Sequence, residues 1–123
     1  MRKAIVILDP DEKHGAELCS VLEKEEYRTV ALSSLSDLAC SLHESSPCAL
    51  IIDLDLIPTD NKILKELRTG NRDLCIIGVS SRTFHPELKE ALRHYIDACF
   101  ARPLDYDDLL YYLRGALQEA FEE

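Results

Sequence analysis

Short apolar runs and longer mixed stretches alternate along the whole chain. The runs are Lys3–Leu8 "KAIVIL", Arg28–Ser33 "RTVALS", Cys48–Leu54 "CALIIDL", Leu74–Ser81 "LCIIGVSS" and Ala98–Ala101 "ACFA". They are brief, continuous and mostly β-branched, the pattern of strands buried on both faces. Between them, apolar residues recur at helical spacing. Asp11–Glu25 carries Ala16, Leu18, Val21 and Leu22 among charges, with Asp11 and Glu12 at the positive end of the predicted helix. Ser36–Glu44 holds Leu38, Ala39 and Leu42, with Ser36 as N-cap. Asn61–Gly70 puts Ile63, Leu64 and Leu67 on one face and Gly70 at C′. His85–Ile96 starts with Pro86 in its first turn. The last stretch, Asp105–Glu123, lines up Leu109, Leu110, Leu113, Leu117 and Phe121. Five strands alternating with five helices predict one α/β domain over residues 1–123, built on a parallel sheet.

Composition narrows the function classes. The chain has 123 residues, 46% hydrophobic and 30% charged, enough for one core. With 23 acids against 14 Lys and Arg, the net charge is −9. That balance argues against direct nucleic-acid binding, which rests on cationic contacts to phosphate, and against an anionic membrane surface. No apolar run approaches the ~20 residues of a membrane span. Ala4–Leu8 is too short for a signal-peptide core and runs into acid. The expected location is the cytoplasm. Cys19, Cys40, Cys48, Cys75 and Cys99 are scattered, without a C-x-x-C pair, and read as reduced thiols used as small hydrophobes. The ending "ALQEAFEE" leaves open both a stand-alone domain and a piece of a longer regulator.

Candidate chemistry follows from where the strands stop, because open parallel sheets bind ligands at their carboxyl ends. The first run stops at Asp9-Pro10-Asp11, the third at Asp53-Leu54-Asp55, the fourth at Ser80-Ser81 and the fifth at Arg102-Pro103. If these strands adjoin, their ends form a crevice of carboxylates, a hydroxyl and one guanidinium. Such a crevice repels a bare phosphate but suits a hard divalent cation such as Mg²⁺. Asp53 could then act as a nucleophile toward a phosphoryl group. Ser80 and Arg102 could hold the phosphoryl oxygens. Plainer readings stand beside these. Asp53 could be a simple strand-end residue, and Asp11 either a metal ligand or the N-cap of the first helix. Arg102 could only pair with Asp53 at rest. His14, His43, His85 and His94 read as surface residues. Tyr95, Tyr106, Tyr111 and Tyr112, on the last two helices, form either an interface or a half-exposed cover over the core.

The run "DLDLIP", with Val79-Ser80 and Arg102-Pro103 in order behind it, resembles the receiver domain of two-component response regulators over essentially the whole chain. The resemblance implies a three-layer, flavodoxin-like (βα)5 fold with strand order 2-1-3-4-5 and helices on both faces. It implies Asp53 as phospho-acceptor, Ser80 as the strand-four hydroxyl and Arg102 as the strand-five cation. It implies Mg²⁺ held by Asp9, Asp53 and the Asp55 backbone carbonyl, with Asp11 as a substitute ligand. It also implies a cis bond before Pro103 and a signalling domain rather than an enzyme. The implied partners are a histidine kinase or phosphotransfer protein, and a second copy docking through the fourth helix, fifth strand and fifth helix. The sequence departs from the family pattern in four places. Pro10 stands where a second acid and metal ligand is usual, and Arg102 where Lys is usual. Cys99 stands where a mobile aromatic is usual, and one extra residue precedes Pro58. Two functions follow: a phosphorylation switch, or a pseudo-receiver that keeps the fold as a phosphorylation-independent interaction module.

Overall fold

Three of the five strands are buried along their entire length, and this fixes the architecture. The computed structural model describes residues 4–82 and 85–117. Strands β1 (Ala4–Leu8), β3 (Ala49–Asp53) and β4 (Cys75–Ser80) have no exposed residue. β2 (Arg28–Leu32) and β5 (Ala98–Ala101) are partly exposed and form the two edges. The sheet is parallel throughout, in the order β2-β1-β3-β4-β5.

Side-chain alternation divides the central strands between two cores. Val6, Leu8, Leu50, Ile52 and Ile76 face α2 (Leu38–Ser45), α3 (Asn61–Gly70) and α4 (Lys89–His94), packing with Leu38, Leu64, Leu67 and Ala91. Ile5, Ile7, Ile51, Ile77 and Val79 face α1 (Glu12–Lys24) and α5 (Tyr106–Leu117), packing with Leu18, Leu22, Leu109 and Leu113. This is the predicted three-layer arrangement. Among the described residues, no helix is long and apolar enough to cross a membrane.

Helix boundaries differ from the sequence pattern where local hydrogen bonding intervenes. A 3₁₀ turn, Leu35–Asp37, precedes α2, and its cap is Ser34, whose Oγ accepts from the Ser36 N–H at 3.1 Å. Ser36 is therefore inside the turn and is not the N-cap. Gly70 belongs to the last turn of α3 rather than C′. Asn71 follows it, donating from Nδ2 to the Leu67 carbonyl at 2.9 Å, so no left-handed glycine is needed there. The predicted His85–Ile96 helix is a 3₁₀ turn, Pro86–Leu88, followed by the short α4. Leu109, Leu110 and Leu113 are buried along α5, while Phe121 lies outside the described residues.

Candidate functional site

The register places the predicted residues along one edge of the sheet. Asp53 aligns with Val79 across β3 and β4, and the Arg102 N–H bonds the Ser80 carbonyl at 3.0 Å. The Asp9 N–H bonds the Leu32 carbonyl at 3.0 Å, just beyond the aligned pair Leu8 and Leu32. Among the described residues five polar or charged side chains are buried, and four of them (Asp9, Asp53, Ser80 and His85) lie at or beyond these carboxyl ends. Buried polarity needs partners. Here they fall into two groups.

The first group is a bridged acidic pair. Nη2 of Arg102 donates to Asp9 Oδ2 at 3.0 Å and to Asp53 Oδ2 at 2.9 Å. The remaining oxygens are turned toward the backbone. Asp9 Oδ1 accepts from the Asp11 N–H at 2.9 Å. Asp53 Oδ1 accepts from the Asp55 N–H at 2.7 Å and the Leu56 N–H at 2.9 Å. The guanidinium thus sits between the two acids where the sequence suggested a metal ion. Asp9, Asp53 and Arg102 close over a small void lined by Ile7, Leu18, Ile51, Val79 and Leu104. Mg²⁺ requires six oxygen ligands in near-octahedral geometry and usually keeps several waters. The expected ligand set is short of side-chain oxygens for it. Pro10 supplies no side-chain oxygen, and Asp11 is committed elsewhere. Asp11 Oδ1 caps α1, accepting from the Lys13 and His14 N–H groups at 3.0 and 3.2 Å. These bonds, that of His14 first, hold its carboxyl below the usual range. Among the described residues no three His, Cys, Asp or Glu side chains are grouped for metal binding.

The second group surrounds Asp55. Its Oδ1 accepts from Ser80 Oγ at 2.7 Å, and its Oδ2 from the Ser81 N–H and Oγ at 2.7 and 2.8 Å. Burial pushes this carboxyl upward. The hydrogen bonds from Ser81 and Ser80 outweigh that, so it stays below the ordinary carboxylate value. On its other side Ser80 Oγ contacts His85 Nε2 at 2.5 Å. His85 Nε2 lies 3.9 Å from Asp55 Oδ1, and its Nδ1 lies 3.7 Å from Glu87 Oε1.

His85 is the residue that sequence reading misplaced. It is not on the surface but 4% exposed. The available signal was its position, five residues beyond Ser80 and directly before Pro86. Asp55, whose carbonyl the resemblance marked and whose side chain was expected beside the phosphoryl site, turns that side chain to Ser80 and Ser81. Cys99 aligns with Gly78 on the outer strand and is exposed, while neighbouring Phe100 packs edge-on against Tyr112 at 5.7 Å. Of the four tyrosines considered for an interface, Tyr111 alone is exposed, at 80%. The Arg102–Pro103 bond is cis, as the resemblance implied.

No known family profile matches the sequence, and no curated protein matches it. Solved structures do. A CheY-like response regulator receiver domain protein from Methanospirillum hungatei JF-1 superposes with a TM-score of 0.85 at 19% identity, over 97% of this chain and 96% of that one. A two-component response regulator from Clostridium difficile gives 0.86 at 14% identity, over 98% and 100%. The signal receiver domain of a response regulator from Bermanella marisrubri gives 0.82 at 21% identity, over 95% and 99%. At these identities the likeness is one of fold, and the chain has the fold of response-regulator receiver domains.

Proposed function

We propose that this domain is a receiver-fold protein-interaction module that works without metal-assisted phosphorylation, its acidic crevice being neutralised from within by Arg102. The observation that carries this reading is the single Arg102 nitrogen bonded to both Asp9 and Asp53. A divalent ion would have to displace a guanidinium already paired twice and backed by apolar side chains. A partly buried charge pair of this kind is costly to break from one side. The Asp55 carboxylate beside Ser80 adds a negative charge where a phosphoryl group would have to settle. The module would act by docking. The face formed by α4, β5 and α5 is the proposed contact surface for a partner protein or a second copy, and α5 carries the exposed Tyr111.

A specific observation favours a second reading. Asp53 ends β3 with Ser80 and Arg102 at the same edge, the set needed for a phosphoryl acceptor served by a histidine kinase. Intact mass after incubation with acetyl phosphate and Mg²⁺, read promptly on wild type and Asp53→Asn, separates the two. The interaction-module reading predicts no adduct on either protein. A phosphoryl adduct on wild type alone would overturn it in favour of the switch.

A further inference from the structure

Asp55 stands out because its carboxylate does more than place a negative charge beside Ser80: both of its oxygens are engaged. Its two oxygens take three hydrogen bonds, all from the two residues that end β4 and leave it. The tie joins the β3–α3 connection to the β4–α4 connection, segments separated by 25 or 26 residues. The tie extends further on the β4 side. Ser80 Oγ accepts from the Arg82 N–H at 2.9 Å and meets His85 Nε2, so the hydroxyl held by Asp55 also organises the residues that follow. Beyond His85, Asn61 at the start of α3 holds the same connection. Its Nδ2 donates to the Glu87 carbonyl at 3.2 Å and its Oδ1 accepts from the Ala91 N–H at 2.8 Å. The β4–α4 segment is thus tied to the β3–α3 segment at both ends.

The Ser80 hydroxyl, which a phosphoryl group on Asp53 would need, is already taken by the Asp55 carboxylate. We infer that Asp55 is a built-in anionic latch: a positioning residue whose carboxylate holds Ser80, Ser81 and the start of the β4–α4 connection in one permanent arrangement. The geometric part of this inference stands by itself. Its regulatory meaning, a docking face set without a signal, rests on the interaction-module reading above. The latch makes no covalent bond and needs no cofactor. Its carboxylate is short, so the longer Asp55→Glu side chain would not seat on both donors, and Asp55→Asn keeps one acceptor oxygen where the latch uses two.

The test is residue-resolved amide hydrogen exchange on wild type, Asp55→Ala and Ser81→Ala, each with and without acetyl phosphate and Mg²⁺. Loss of a charge-assisted hydrogen bond corresponds to roughly tenfold or more in local opening. In wild type the Ser81 and Arg82 amides are expected to be protected. In Asp55→Ala they should exchange about tenfold faster or more, while the Ile76 and Ile77 amides of the central strand stay unchanged and report an intact fold. Ser81→Ala removes one hydroxyl donor and keeps the amide at position 81 on Asp55, so its protection there should fall less. If the Ser81 amide exchanges equally fast in wild type and Asp55→Ala, the latch is overturned, whatever acetyl phosphate does. If protection depends on Asp55 but wild type also acquires a phosphoryl group, the latch stands and the phosphorylation-independent reading fails.

Discussion

Two corners of one sheet edge solve the problem of buried charge in opposite ways. At the Asp9–Asp53 corner two acids are brought together and a cation is inserted between them. At the Asp55 corner one acid is set among the Ser80 and Ser81 hydroxyls and the Ser81 amide. The first arrangement depends on a long side chain arriving from β5, so removing it leaves two carboxylates with no counter-charge. The second depends on local backbone and short side chains, so its parts are separable and its loss is milder. The difference shows that a strand end can be made tolerable to carboxylates either by charge pairing or by dipoles, and that the two need not fail together.

The largest expected effect comes from breaking the charge-paired corner. Arg102→Met should cost about 3 kcal/mol in urea unfolding, because Asp9 and Asp53 keep their burial and lose their cation. Adding Asp53→Asn in that background should recover part of the loss, and strict additivity of the two changes would contradict the coupling. Next is Gly78→Ala, which probes the backbone between the corners. A Cβ there would lie 2.6 Å from Cδ1 and 3.1 Å from Cγ of Leu54, the residue between Asp53 and Asp55. Leu54 must shift, and the expected cost is about 1–2 kcal/mol. Amide spectra should show perturbation at both corners, whereas Arg102→Met should perturb mainly the first.

The dipole-held corner should yield smaller effects with a pH signature. The folded-state pKa of Asp55 is lowered. Its contribution is therefore fully present above the unfolded carboxylate value of about 3.9, and is lost as the pH falls through the folded value below that. Asp55→Asn should be less stable than wild type at neutral pH by about 1 kcal/mol. The two stabilities should converge below about pH 4, and a constant difference from pH 7 to pH 3 would remove the ionised latch from the account. Smallest is Asp11→Ala, which removes the α1 cap and should lower the urea midpoint only slightly, with no change in the amide shifts of Ser80 or Ser81.

Much of this edge was legible in the sequence because it follows from period and position. Runs such as "AIVIL" and "CIIGVS" are apolar on both faces, so their burial, and hence the places where they stop, could be read directly. That puts Asp9, Asp53, Ser80 and Arg102 at one edge. Two other features were not legible. Which of two compatible partners a carboxylate takes depends on distances of a few tenths of an ångström, so Asp53 as Arg102's partner or as a metal ligand could not be decided from spacing. His85 was hidden because a lone histidine in a polar segment carries no period, and its burial goes with its contact to Ser80. Ser34 displaced Ser36 as a cap for a similar local reason: an added 3₁₀ turn moved the start of the helix by about one residue.

The central claim is that Arg102 occupies the place of a cation. The most direct measurement is a Mg²⁺ titration through the millimolar range. It would follow the amide resonances of Asp11, Asp55 and Leu56, whose N–H groups bond the two bridged carboxylates, in wild type and in Arg102→Met. The account predicts that wild type shows no saturable shift at these amides, and that any specific binding emerges only when the guanidinium is removed. Saturable Mg²⁺ binding by wild type, centred on those amides and lost in Asp53→Asn, would contradict it.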